Sequence, residues 1–172
     1  MQQDTFWQDT MKNIAELKKT YGEIIEEAAV LYKLDPCVLA GLIFQESSGN
    51  PAAISPCGAI GLTQVMANTA KYRGYSLVTP KGQIYAGADY LAYVLKNFAG
   101  GDITKALAGY NAGPGRIKGD KWKQFKETRE YVPRVLKYAE EYRRLTKPPE
   151  LPVVETSPTP KVVPRHRSRE LV

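Results

Sequence analysis

Glu46 is the residue whose type and surroundings most call for chemistry. Before it runs Cys37–Phe44, a stretch without a charge and almost without a polar atom. Leu39, Leu42 or Ile43, and Glu46 fall at i, i+3/i+4 and i+7, which lines the carboxylate up with core residues near the C-terminal end of a helix. Partial desolvation and the negative end of the helix dipole both favour the protonated carboxyl there. A carboxyl so placed can serve as a general acid. The plainer alternative is that the helix leaves the core at Glu46 and its side chain points into water. Other reactive groups are few. Cys37 and Cys57 are the only cysteines and His166 the only histidine, so the body lacks a zinc ligand set and the lone histidine leaves no Ser-His or Cys-His triad. Neither metal nor organic cofactor is expected. The two thiols are expected to be free or merely adjacent.

The elements that must position Glu46 can be read from caps and breakers. Asp35 can cap a helix opening at Pro36, and Gly49 can end it, which predicts a helix over 36–49 that crosses the core. Ahead of it, residues 11–33 carry an apolar stripe at Met11, Ile14, Leu17, Tyr21, Ile24/Ile25, Ala28 and Leu31. That predicts a helix, interrupted near Thr20, where Thr20 and Glu23 have capping-box spacing. The Gly/Pro-rich segment 50–61 is a loop, followed by a short helix near 65–72. A helix over 83–99 is closed by Gly100-Gly101, and another over 103–111 is capped by Asp102 and stopped at Asn111-Ala112-Gly113-Pro114-Gly115. The last helix begins at Thr128 and holds Pro133 in its first turn or so. No stretch alternates at period two over strand length, so the body is mainly α.

A chain of 172 residues, 43% hydrophobic and 24% charged, suits one soluble domain with a proper core. The division expected is a helical extension over 1–20, the domain over 21–146, and a tail over 147–172. Six of the twelve prolines lie between Pro148 and Pro164, a composition expected of an extended or disordered tail. No apolar run reaches membrane-spanning length, and the N-terminus has neither the basic start nor the apolar stretch of a signal peptide. The net charge of +6 is densest between Arg116 and Arg144, where ten Lys/Arg face five Asp/Glu. Without a nucleic-acid motif this reads as a solvated basic face, so no nucleic-acid partner is expected.

Three short segments then stand in a fixed order: Gln45-Glu46-Ser47, Gly58-Ala59-Ile60-Gly61-Leu62-Thr63-Gln64-Val65-Met66, and Ala106-Leu107-Ala108-Gly109-Tyr110-Asn111-Ala112-Gly113-Pro114-Gly115. With Ile84–Leu91 and Glu127–Val132 in support, this resembles the soluble lytic transglycosylases over roughly residues 22–145. The resemblance implies a single lysozyme-like helical domain with a glycan-binding groove, acting on the glycan strands of peptidoglycan. It implies Glu46 as catalytic acid/base, and Ser55, Gln64, Met66, Tyr110, Asn111 and Tyr131 as groove residues. The chain departs from the family pattern at Thr63, where Met is usual, at Gln83, where Asn precedes the Ile, and at Gly109, where Ala is usual. Read on their own, Gln64 and Asn111 offer amides suited to acetamido and hydroxyl groups, or equally serve as loop-stabilising residues. Tyr110 and Tyr131 can offer a ring to a sugar and a hydroxyl to Glu46, or pack in the core with a hydrogen-bonded tip.

The activity implied is cleavage of the β-1,4 MurNAc-GlcNAc bond with 1,6-anhydromuramoyl ends, in the periplasm or cell envelope or delivered there by a phage, by a monomer. Its rivals are a goose-type-like hydrolase of the same bond and a non-catalytic peptidoglycan-binding component of a phage or secretion apparatus. Retention of Glu46 argues against the last. No motif supplies a second catalytic carboxylate: Asp35 is a cap at the far end of the helix, and Asp89 and Asp102 belong to other helices.

Overall fold

The structure, a computed structural model, describes residues 2–146, with side chains from residue 8 onward; the tail expected over 147–172 lies outside the described residues. Its elements in chain order are α1 (Gln2–Tyr32), α2 (Pro36–Ser47), β1 (Ala59–Ile60), β2 (Val65–Met66), α3 (Ala67–Tyr72), α4 (Pro80–Asn97), α5 (Ile103–Ala112), 3-10 turns over Pro114–Arg116 and Lys118–Gln124, and α6 (Lys126–Thr146). The mainly α reading holds. No helix among the described residues is long and apolar enough to cross a membrane.

α2 runs through the core, with every residue from Cys37 to Phe44 buried. The Asp35 side chain accepts from the Cys37 N–H at 2.8 Å, as its position at the N-cap requires. The other end comes one residue sooner than Gly49: Ser48 takes the left-handed conformation at φ 53 and donates its N–H to the Phe44 carbonyl. Around α2 pack α1, α6 and, beyond them, α4 and α5. The tightest crossing is between α2 and α6. A Cβ at Gly41 would lie 2.4 Å from the Val135 carbonyl oxygen and 2.7 Å from the Ala139 nitrogen, so the two backbones touch with no room for a side chain.

Several expected boundaries move. α1 runs unbroken through Thr20, whose hydroxyl donates back to Glu16 at 3.4 Å instead of capping a new helix. The buried positions Ile14, Leu17, Ile25 and Ala28 continue one stripe across that point, so packing favours a continuous helix over a local cap. Residues 65–66 pair with 59–60 as a two-stranded antiparallel ladder, so the short helix begins only at Ala67. α4 starts at Pro80, because the Thr79 side chain caps Gly82 and a proline is preorganised for the first turn. Gly100 and Gly101 follow its end with φ of 60 and 86, and Asp102 caps α5 by accepting from Lys105. α6 begins at Lys126, which places Pro133 beyond its first two turns. Pro133 and Arg129 both lie on the exposed face, where the carbonyl that proline cannot serve can turn to solvent.

Candidate active site

Glu46 is the second-last residue of α2, partly buried, where the helix leaves the core. Ser47 fixes that end: its hydroxyl donates to the Leu62 carbonyl at 2.9 Å, tying the helix terminus to the returning loop. From α6, whose buried face lies along α2, the Tyr131 hydroxyl donates to Glu46 Oε1 at 2.6 Å. The Tyr131 ring is buried, so this donor is held in place by packing. Burial is the main cause that lifts the Glu46 carboxyl from 4.5 to about 7; the Tyr131 hydrogen bond opposes the shift and the negative charge of Glu127 adds to it. A carboxyl of this kind exists in both protonation states near neutrality, as a group that must donate and then accept a proton requires.

Tyr110 lies near the end of α5, and of the two roles open to its hydroxyl the structure shows the hydrogen-bonded tip of a packed ring. The hydroxyl donates to the Thr63 carbonyl at 2.8 Å. Burial, and then the charge of Glu46, hold this phenol well above the ordinary tyrosine range, so Tyr110 feels the carboxylate without bonding to it. Asn111 bridges two helices: Nδ2 donates to Glu127 Oε1 at 3.2 Å, and Oδ1 accepts from the Thr128 hydroxyl at 2.7 Å. Gln64 has φ 50 and spends Nε2 on the Ala53 and Gly61 carbonyls at 3.1 and 2.9 Å. Its Oε1 takes no part in those bonds. The Ser55 hydroxyl accepts from the Ala59 N–H at 3.0 Å and shapes the turn before β1. Met66, at the end of β2, is 44% exposed.

Glu46 and Tyr131 are thus brought into direct contact, with Tyr110 and the Asn111–Glu127–Thr128 cluster around them. Ser55 and Gln64 belong to the loop that returns after α2, where their recorded bonds are structural. Sequence reasoning gave no role to Ser47, Glu127 or Gln83. Glu127 stands one helical turn before Tyr131, a spacing that could have flagged it. Gln83 is buried on α4: Oε1 accepts from the Leu62 N–H at 2.9 Å, and Nε2 donates to the Pro51 and Leu77 carbonyls, both at 3.0 Å. One amide therefore holds the loop that faces Glu46.

A family model described as Transglycosylase SLT domain matches residues 23–132. Among curated proteins, the chain is 42% identical over 94 residues to a transglycosylase of Enterobacteria phage PRD1, covering 54% of this chain and 35% of that protein. It is 39% identical over 126 residues to the soluble lytic murein transglycosylase of Escherichia coli K12, covering 58% of this chain and 19% of that protein. The chain thus spans about a third or less of the length of these relatives. Among solved structures, the 70 kDa soluble lytic transglycosylase of Escherichia coli aligns with a TM-score of 0.68 at 32% identity, over 75% of this chain and 25% of that one. An inactive mutant of the lytic transglycosylase Slt from Pseudomonas aeruginosa aligns with a TM-score of 0.65 at 32% identity, over 73% and 24%.

Proposed function

The chain belongs to the Transglycosylase SLT domain family and has its lysozyme-like helical fold, and from that premise we propose that it cleaves the β-1,4 MurNAc-GlcNAc bond of peptidoglycan, leaving 1,6-anhydromuramoyl ends. The observation that carries this reading is the Glu46 carboxyl, lifted to about 7 by burial and held by the Tyr131 hydroxyl at 2.6 Å. Protonated Glu46 gives its proton to the glycosidic oxygen as that bond breaks and the sugar gains oxocarbenium character. The carboxylate so formed then takes the proton of the muramoyl 6-hydroxyl while that oxygen closes on C1. The nucleophile comes from the substrate, already next to its target, and high effective molarity replaces a bound water. Tyr131 holds Glu46 through both proton transfers. The groove residues assigned to the substrate are Ser55, Gln64 through its Oε1, Met66, Tyr110 and Asn111. The substrate puts the site of action in the periplasm or cell envelope, and the protein acts as a monomer.

Hydrolysis of the same bond is a second reading, because Glu127 is near enough for its charge to raise Glu46. A second carboxylate near the acid is what two-carboxylate glycosidases use. Product analysis in oxygen-labelled water separates the two. Transglycosylation yields non-reducing anhydro ends without label, whereas hydrolysis yields reducing ends that carry it. Glu46→Gln, near in shape but unable to cycle a proton, is expected to lower the rate by about 10²–10⁴-fold. Near-normal turnover in that variant would reject Glu46 as the acid/base.

A further inference from the structure

Glu23, Glu26, Glu27 and Val30 of α1, together with Tyr85 of α4, line an open groove of about 630 Å³. Its apolar part is Val30, 81% exposed, and the Tyr85 ring, which is set edge-on to Tyr32 with ring centres 6.2 Å apart. Its charged part is acidic. Glu27 is already engaged, accepting from Lys81 at 2.8 Å and from the Tyr85 hydroxyl at 3.3 Å. Glu23 and Glu26 are exposed and hold no hydrogen bond or ion pair among the described residues, and Lys19 and Lys33, which share their face of α1 by helical spacing, form none with them. Two unpaired carboxylates beside an exposed valine suit a basic segment that also carries apolar side chains.

The chain contains such a segment. Residues 161–169 hold Lys161, Arg165, Arg167 and Arg169, the pair Val162-Val163, and no Asp or Glu. α6 brings the chain to the edge of the groove: Lys18 Nζ donates to the Leu145 carbonyl, and a Cβ at Gly22 would lie 3.5 Å from the Tyr142 hydroxyl. Glu26 is near enough that its charge, after burial, helps push the Tyr142 phenol up to about 12. Lys18 and Glu26 stand about 12 Å apart along α1 at the helical rise. Residues 147–160 reach up to about 40 Å when extended, so the segment has ample tether. The groove is also remote from the acid, because Leu17, which packs on Gly49 just past Glu46, lies on the buried side of α1.

We propose that residues 161–169 dock in the α1–α4 groove of their own chain, with arginines on Glu23 and Glu26 and the valine pair on Val30 and Tyr85. Exposed ion pairs are weak one by one, but a tether holds the segment at high effective concentration and lets several act together. Salt loosens such a contact. Docked there, the tail leaves the site at Glu46 open and withholds its own cations from other anionic surfaces.

Trypsin reads the docking in the full chain, because its cuts after Lys161, Arg165, Arg167 and Arg169 need a free segment and are resolved by mass spectrometry. At low salt these bonds are expected to be cut about three- to tenfold more slowly than in a synthetic peptide of residues 147–172, and at the peptide's rate at high salt. Glu23→Gln with Glu26→Gln, and separately Val30→Asp, should each remove most of the protection; all three positions are exposed, so the fold is not at stake. Glu23→Lys with Glu26→Lys should abolish it. Adding Arg165→Glu and Arg167→Glu to that pair should restore part of it, read after Lys161 and Arg169 against a peptide of the same tail. Cleavage of the unmutated chain at the peptide's rate overturns the docking. Protection that survives the changes at Glu23 and Glu26 overturns this groove as its place, and protection that grows with protein concentration overturns docking within one chain in favour of a second copy's tail. None of these readouts depends on the glycan-cleaving reading above.

Discussion

Glu46→Gln is expected to stabilise the fold at alkaline pH while destroying activity. The Glu46 carboxyl rises from 4.5 to about 7 in the folded chain, mainly through burial. A carboxyl raised on folding keeps its proton longer in the folded state than in the unfolded one. Between pH 4.5 and 7 the folded chain therefore binds more protons, and stability falls as pH climbs through that window. Below it the group costs nothing; above it the full penalty of a buried charge remains. At about 1.4 kcal/mol for each tenfold change in acidity, the rise from 4.5 to about 7 amounts to about 3 kcal/mol, an upper bound because Glu46 is only partly buried. Glutamine has nearly the same shape, can still accept from the Tyr131 hydroxyl and never ionises. The variant should thus match the unmutated protein at pH 4 and exceed it at pH 8 by up to about 3 kcal/mol, or roughly 5–10 °C in Tm for a domain of this size. Thermal and urea denaturation followed by circular dichroism at both pH values read the difference, and comparing the two proteins cancels the titration of every other group. A stability gap that is the same at pH 4 and pH 8, or a less stable variant at pH 8, would refute the claim that Glu46 carries a buried charge.

Tyr131→Phe removes the hydrogen bond that pulls Glu46 downward, so the alkaline limb of kcat/KM should move up by about one pH unit, the lower end of what a bond to a charged group is worth; an unmoved or lowered limb would count against that contact. Gln83→Leu leaves the Leu62 N–H and the Pro51 and Leu77 carbonyls without their partner, at an expected cost of about 2–5 kcal/mol in urea denaturation; a loss below about 1 kcal/mol would mean the loop holds itself.

What was legible in the chain was what depends on neighbours within one turn. Asp35 and Asp102 cap because each meets an N–H two or three residues on, and the apolar run before Glu46 needs no partner to declare itself a core helix. Thr79-Pro80 carried a signal of the same kind and marks the true start of α4. Thr20 had the right spacing for a cap, but a break there would sacrifice the continuous stripe that buries Leu17 and Ile25, and packing outweighs one hydrogen bond. The 59–60 and 65–66 ladder is too short to show a period of two. In the site, the Tyr131–Glu46 bond could be foreseen as a possibility, since phenol and carboxyl suit one another. The partner of Tyr110 could not, because it is a backbone carbonyl 47 positions away, delivered by the loop. The recorded bonds of Gln64 follow the loop-stabilising alternative, since its left-handed backbone turns the amide onto its own loop.

The three departures from the family pattern meet in one place behind the groove. Gln83 holds the loop through its side chain, and its own carbonyl accepts from the Thr63 hydroxyl at 2.7 Å. Thr63 is fully buried, and its carbonyl in turn accepts from Tyr110. Thr63 packs so closely on α4 that a Cβ at Gly87 would lie 2.4 Å from the Thr63 Cβ. Gly109 precedes Tyr110, and a Cβ there would meet Ile117 Cδ1 at 2.4 Å and Val94 Cγ1 at 2.9 Å, so alanine at 109 does not fit beside Ile117 as it is packed here. Each departure is thus matched by a neighbour: Gln83 by the three groups it ties down, Thr63 by Gly87, Gly109 by Ile117. All three border Tyr110: Thr63 through its carbonyl, Gln83 through Thr63, and Gly109 as its neighbour in the chain. The layer reaches further through Tyr110, whose ring lies 5.2 Å from that of Tyr90, which in turn stacks 6.4 Å from Tyr93.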